Sequence, residues 1–200
     1  MSEEAWTEGE WAAFYELANR YIDAANALIG EEEIGQIGAA MLYACCRYNC
    51  FVMQIQSDDP SAMTDEAMIF LADEIESHML DHMEGSVTDD APRVGDTLGG
   101  PMRVIQIIEN LDGRLEEDVA DFLSLADGFL TIANQQTSKA RPGRVSAAFM
   151  HAMTKFNVYV MQILGLPPRK PDQALVRAFR EVYVRLARYH AQEALVAQPQ

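Results

Sequence analysis

A chain of 200 residues, 49% of them apolar, is long enough for one large or two small domains and can bury a core, which excludes a disordered tail. The formal net charge of −16 argues against a protein that follows nucleic-acid phosphates. No apolar run reaches the ~18 residues of a membrane-spanning helix, and the acidic first residues do not resemble a signal peptide. Three cysteines do not make a disulfide framework. We therefore expect a soluble, cytoplasmic protein that binds neither nucleic acid nor membrane.

The chain contains an internal duplication. Residues 14–55 align without a gap with residues 122–163 at an offset of 108, and 14 of the 42 positions are identical. Beyond the next loop the register slips by one residue. A repeat of this length predicts two copies of one structural unit. The first copy, the linker and the second copy are 1–84, 85–113 and 114–200, respectively.

The first helix of copy one begins at a predicted capping box, in which Thr7 and Glu10 satisfy each other's backbone N–H groups. Phe14, Leu17 and Tyr21 then recur at helical spacing. Copy two has the same apolar pattern, which predicts the same helix there.

The second helix of each copy follows Gly35 or Gly143 and is apolar on nearly all sides, so we expect it at the centre of the fold. The third begins near Thr64, or at Pro171 in copy two. No convincing strand pattern occurs. The predicted fold is all-α: a six-helix bundle from two fused three-helix repeats, with a short extra helix, Met102–Leu111, at the linker.

A tight antiparallel pairing of the first two helices within each copy, about residue 32, would set Asn26 level with Gly38. We interpret Asn26 as a buried hydrogen-bonding residue, because buried amides need partners. The same geometry would pair Lys155 with Asp127. The predicted shared polar core consists of Asn26, Asn49, Arg47, Asn134, Asn157 and Lys155. A small-ligand pocket around the four asparagines is the alternative.

Several segments carry a family pattern. In copy one they are Ala18-Asn19, Ala25-Asn26, the run from Gly35 to Ala44, and the run from Arg47 to Val52. In copy two they are Ala126-Asp127, Ala133-Asn134, the run from Gly143 to Ala148, and the run from Lys155 to Asn157. This pattern resembles a small bacterial family, domain of unknown function 3144, over about 160 of the 200 residues. Its members are short, single-copy and without an assigned activity, so the resemblance implies a fold and no reaction.

Charge is divided unequally between the two halves. Residues 1–100 hold 3 basic and 21 acidic side chains, whereas residues 101–200 hold 12 and 10. The third helix is acidic in copy one and basic in copy two. Drift of two solvated faces would explain this difference, but it also suggests that the two third helices are adjacent. The acidic first half joined to a nearly neutral second half predicts an acidic face for a basic protein partner, in a non-catalytic adaptor, inhibitor or other regulatory module. The predicted interaction face consists of Asp65, Glu66, Asp73, Glu74, Glu76 and Asp81.

The alternative function is metal binding or a small enzymatic bundle. His78 and His82 are four residues apart on one helix face, and Glu74 lies one turn before them. Met79 and Met83 would adapt the same segment to copper. No further ligand cluster is visible from the sequence, so two surface histidines on an acidic helix is the plainer interpretation.

Cys46 and Cys50 are also four residues apart, with Met53 near the same stripe, a set that suits Cu(I). Core packing is the plainer interpretation, since buried cysteine behaves as a small hydrophobic residue. The sequence lacks the nucleophile-elbow and phosphate-loop motifs. We therefore expect no catalytic residues and no cofactor, in a monomer or a homodimer.

Overall fold

The computed structural model describes residues 6–56, 65–85, 116–163 and 173–196. These residues form six helices and no β-strand, which confirms the all-α fold. The helices are α1 (Glu8–Leu28), α2 (Ile34–Gln56), α3 (Asp65–Gly85), α4 (Glu116–Thr137), α5 (Pro142–Ile163) and α6 (Gln173–Val196). Within these ranges no helix combines the length and apolarity that a membrane crossing requires. The predicted helix Met102–Leu111 lies outside the described residues.

The start of α1 shows how local sequence defines a helix end. The Glu10 carboxylate accepts the Thr7 backbone N–H at 3.0 Å, and the Thr7 hydroxyl accepts the Glu10 backbone N–H at 3.3 Å. This confirms the predicted capping box. At the other end, Gly30 adopts a φ of +99°, a conformation that favours glycine, and turns the chain into α2.

The second helices, α2 and α5, form the centre of the bundle. They pack against each other, and most of their residues are buried. Both receive other helices as well, so little of either surface reaches solvent. The prediction that the second helix of each copy is central is confirmed.

The outer helices of each copy pack on the second helix of the other copy, an arrangement that we call the exchange. α1 packs mainly on α5, and α4 packs mainly on α2. The Tyr21 ring in α1 stacks on Phe149 in α5 with 4.0 Å between the ring centroids, and the Tyr48 hydroxyl in α2 lies 2.6 Å from the Thr137 hydroxyl in α4. The predicted antiparallel pairing within each copy is therefore wrong. The spacing of apolar residues specifies which face of α1 is buried but not which apolar helix covers it.

The same exchange changes one predicted ion pair. Asp127, expected beside Lys155 of its own copy, instead has its carboxylate 3.8 Å from the Arg47 guanidinium of the other copy. Both side chains are largely exposed, so the pair contributes little to stability.

The third helices follow the exchange and also meet each other. α3 packs on α5, α6 packs on α2, and α3 and α6 lie side by side. The Arg180 guanidinium is 2.6 Å from the Asp73 carboxylate and 3.4 Å from that of Glu76. Arg188 is 3.1 Å from Asp65. The predicted adjacency of the acidic and basic third helices is thus confirmed.

We predict that reversing the charge of Arg180 and Arg188 to glutamate lowers the free energy of unfolding by about 1–2 kcal/mol at low salt, because three partly exposed ion pairs become repulsions. In 1 M salt, where the Debye length is about 3 Å, most of the loss should disappear. Urea unfolding at both salt concentrations measures it. The control is Arg177→Glu, a single reversal of the same kind at an exposed position of the same helix, which removes none of these pairs. A loss that does not depend on salt would contradict the prediction.

Two asparagines mark the interface between α2 and α5. Asn49 in α2 donates from its amide to the Tyr183 hydroxyl in α6 at 2.9 Å and accepts from the Ser146 hydroxyl in α5 at 2.6 Å. Asn49 is fully buried, so these partners satisfy a group that would otherwise be costly to bury. One amide therefore joins three helices from both copies.

Asn157, the equivalent residue in copy two, has different hydrogen-bond partners. Its amide donates to the Met153 carbonyl at 3.0 Å and to the Gly38 carbonyl in α2 at 3.3 Å. A methyl group on Gly38 would lie 2.5 Å from the Asn157 side-chain oxygen. Gly38 is therefore required for the close approach, whereas its counterpart Ser146 contributes a hydroxyl.

We predict that Gly38→Ala lowers the free energy of unfolding by about 1–3 kcal/mol, because the new methyl group overpacks the interface against Asn157. The matched control is Gly128→Ala in α4, where the methyl group would meet nothing within 4 Å; it should stabilise by up to about 1 kcal/mol through helix propensity. In an Asn157→Ala background the penalty of Gly38→Ala should vanish. Stabilisation by Gly38→Ala equal to that of the control would refute this account.

Candidate metal centre

Three of the four histidines of the chain converge at the contact between α3 and α5. His78 and His82 stand one turn apart on α3, and His151 comes from α5. One ligand nitrogen of each lies within 4.8 Å of the others. The convergence is a product of the exchange, since α3 belongs to copy one and α5 to copy two.

The rings are close and half-buried. The centroid of the His151 ring is 4.7 Å from that of His82 and 6.1 Å from that of His78, and the two α3 rings are 6.5 Å apart. Three imidazoles around one tetrahedral zinc ion, with bonds of about 2.0–2.1 Å, place their nitrogens about 3.3 Å apart. The three nitrogens, which lie within 4.8 Å of one another, would have to approach by up to about 1.5 Å to reach that separation.

The surroundings favour neutral imidazoles. Burial lowers the pKa of His151 to about 4, and the nearby His82, His78 and Lys155 act in the same direction. Burial, then His78 and Lys155, also lower the pKa of His82. A hydrogen bond to the backbone of His151 opposes this lowering. Both rings are therefore neutral near pH 7, the form in which an imidazole nitrogen binds a metal ion.

An aromatic group borders the cluster on the α1 side. The rings of Phe14 and Tyr15 meet His151 edge-on, at centroid distances of 5.4 and 5.6 Å. Trp11 stacks on Tyr15 at 5.8 Å, and Trp6 lies 4.8 Å from Trp11. These contacts hold the His151 ring against an apolar wall. They also bring both tryptophans of the chain close to the cluster.

The equivalent positions of the other copy carry no histidine. The counterparts of His78, His82 and His151 are Arg185, Tyr189 and Tyr43, respectively. The three histidines are thus specific to one of two related places in the bundle. A shared architectural role would not explain this difference, because the other copy builds the same architecture without them.

The structure places a different third residue beside the two predicted histidines. Glu74, predicted beside His78 and His82, is exposed and does not belong to the three-residue group. The third member of the group is His151, which the sequence pattern did not predict. It lies 69 residues beyond His82, and only the exchanged packing brings them together. A comparison of the two copies could have identified it, since all three histidines stand at positions where the other copy has a different residue.

The predicted polar core is only partly correct. Asn49 and Asn157 are buried and hydrogen-bonded. The other four members are exposed and do not form a core with them: Asn26, Asn134, Arg47 and Lys155. The prediction placed them inside because it assumed an antiparallel pair within each copy. The proposed ligand pocket around four asparagines fails for the same reason.

The predicted interaction face is partly occupied by the protein itself. Asp65, Asp73 and Glu76 pair with arginines of α6. The other three members are exposed: Glu66, Glu74 and Asp81.

The three cysteines are buried in the core. The Cys46 and Cys50 thiols donate to backbone carbonyls of α6 at 3.7 and 3.8 Å. Burial raises the pKa of Cys45 and Cys46. No cysteine belongs to the ligand group identified in the described part of the chain. This burial supports core packing over a Cu(I) site.

We predict that Ellman's reagent labels none of the three thiols of the native protein at about pH 8, since all three are buried and the raised pKa of Cys45 and Cys46 leaves little thiolate at those two. After denaturation all three should react. Ser138→Cys, at an exposed turn, supplies the positive control and should react at once. Rapid labelling of the unaltered native protein would show that α2 opens readily.

The fold is an all-α bundle of two exchanged three-helix copies with a histidine cluster between them. The model of a family described as a protein of unknown function, DUF3144, matches residues 14–87 and 122–166. The chain belongs to this family, and the two matched segments correspond to the two copies. Comparisons with curated proteins and with solved structures gave no match.

Proposed function

We propose that this protein binds a divalent transition-metal ion through His78, His82 and His151. The observation that carries the proposal is the convergence of three imidazole nitrogens within 4.8 Å of one another. Two of the rings have a lowered pKa, so they offer lone pairs without first losing a proton at neutral pH.

The ligand type restricts the ion. Imidazole nitrogen suits zinc, copper and nickel, whereas magnesium and calcium prefer oxygen. Three protein nitrogens would leave one position of a tetrahedral ion for water or for a donor atom of another molecule. Zn²⁺ is therefore the first ion to test, with Cu²⁺ as a spectroscopic probe.

The predicted result is one Zn²⁺ per chain by calorimetric titration of protein without an affinity tag. Loss of hydrogen-bonding groups outside the first coordination sphere alone costs 10–100-fold in affinity, so His82→Gln or His151→Gln should weaken binding at least about 100-fold. The matched control is Glu74→Gln, on the same helix but outside the cluster, which should bind as the unaltered protein does.

A second readout locates the ion. Because both tryptophans stand in the aromatic group beside His151, one equivalent of Cu²⁺ should quench tryptophan fluorescence in the unaltered protein and in Glu74→Gln. Quenching should be lost in His151→Gln. Equal zinc affinity in the histidine variants and the unaltered protein, or no binding at all, would refute the proposal.

Binding of a basic protein partner stays a prediction. The excess of acidic residues in the first half of the chain supports it. However, α6 already supplies basic partners to Asp65, Asp73 and Glu76, so a partner would have to compete with those pairs or use the exposed Glu66, Glu74 and Asp81. The histidine geometry supports metal binding more directly.

A further inference from the structure

A cavity of about 550 Å³ lies between α1 and the turn that joins α4 to α5, a volume typical of small-molecule sites. We call it the α1–α4 pocket. Its polar lining comes from Glu10, Glu16, Arg20, Gln136, Lys139, Arg141 and Arg144. Four cations therefore line one cavity of a chain with only 15 lysines and arginines against 31 acidic residues.

The two carboxylates of the lining are already engaged. Glu10 accepts from the Thr7 cap and lies 3.2 Å from the Arg144 guanidinium. These interactions, the Thr7 bonds first, hold the pKa of Glu10 below its ordinary value. Glu16 pairs with Arg20 at 2.9 Å. The charge that remains for a ligand is positive.

The cations differ in how firmly they are held. Arg144 is fixed between Glu10 and the Trp6 ring, whose centroid is 5.3 Å from its guanidinium carbon. Lys139 and Arg141 are exposed and make no ion pair within the described ranges. A fixed guanidinium beside two available cations is suited to an oxyanion, which arginine binds through paired N–H groups.

Gln136 supplies a second, independent indication of a ligand. Its side chain is 1% exposed, and its amide nitrogen donates to the Leu17 carbonyl at 2.9 Å. Its amide oxygen is buried and has no hydrogen-bond donor among the described residues. A buried acceptor of this kind needs an explanation. A ligand hydroxyl or N–H in the pocket would provide the donor, after a shift of the side chains that shield the oxygen.

The other copy lacks the whole set. The counterparts of Arg20, Gln136, Lys139, Arg141 and Arg144 are Gly128, Leu28, Glu31, Glu33 and Gln36, respectively. At the positions of Lys139 and Arg141 the other copy has carboxylates, and at the position of Gln136 it has an apolar side chain. The pocket is thus a specialisation of one place in the bundle, separate from the histidine cluster.

We propose that the α1–α4 pocket binds a small organic anion that carries an oxyanion group and a hydroxyl or N–H donor. Arg144, Lys139 and Arg141 contact the oxyanion, and Gln136 accepts from the donor. The site selects small oxyanions that carry such a donor over those that have only charge.

The test compares glycerol 3-phosphate, which has two alcohol hydroxyl donors, with methyl phosphate, which has no alcohol hydroxyl. Calorimetric titration is run with a chelator, so that no bound metal ion attracts the phosphate. The unaltered protein should bind glycerol 3-phosphate at least about tenfold more tightly, the scale of one hydrogen bond to a buried group. Gln136→Leu should remove this preference and leave methyl phosphate unchanged.

The contribution of the cationic side chains to phosphate binding is tested separately. Lys139→Glu and Arg141→Glu copy the first repeat and should each weaken both phosphates at least about tenfold. Arg177→Glu changes the net charge equally, outside the pocket, and should leave both affinities unchanged. Failure of the unaltered protein to bind either phosphate at millimolar concentration would overturn the proposal. So would equal losses in Arg177→Glu and Arg141→Glu. Circular dichroism of each variant verifies that it is folded.

Discussion

The interface between α2 and α5 is the constraint on which the rest of the structure depends. Both helices are apolar on nearly all sides, so neither can remain at the surface, and each must be covered by several partners. Asn49 is buried there with donors and acceptors from α5 and α6, and Gly38 leaves space for Asn157. Once α2 and α5 pack together, each accepts the outer helices of the opposite copy. A single copy would leave much of its second helix uncovered.

This exchange explains why the candidate sites have residues from both copies. The histidine cluster joins α3 to α5, and the α1–α4 pocket joins α1 to the α4–α5 turn. Duplication gives each place in the bundle a counterpart that builds the same architecture with different side chains. The position of His151 is occupied by Tyr43 in the other copy, and that of Arg141 by Glu33. Architecture is therefore maintained by shared residues such as Asn49 and Asn157, while unshared positions are available for binding.

Local signals proved accurate in this chain. The Thr7–Glu10 capping box, the central second helices and the side-by-side third helices were all predicted from residue spacing, hydropathy and charge. Most of the errors come from the assumption that neighbouring helices of a copy pair with each other. It buried Asn26, which is exposed, and it gave no reason to place His151 beside His82. Helical periodicity specifies a buried face, but several apolar helices satisfy that face equally well.

The amino-acid sequence by itself determined the duplication, the six helices, the buried faces and the charge difference between the third helices, because each depends on the order of nearby residues. The tertiary structure alone decided which copy covers which helix. It therefore decided that His78, His82 and His151 meet, and that Gln136 lines a cavity beside Arg144. The physical reason is that such contacts join residues far apart in the chain. Their partners are selected by the fit of the α2–α5 interface as a whole, which no local pattern encodes.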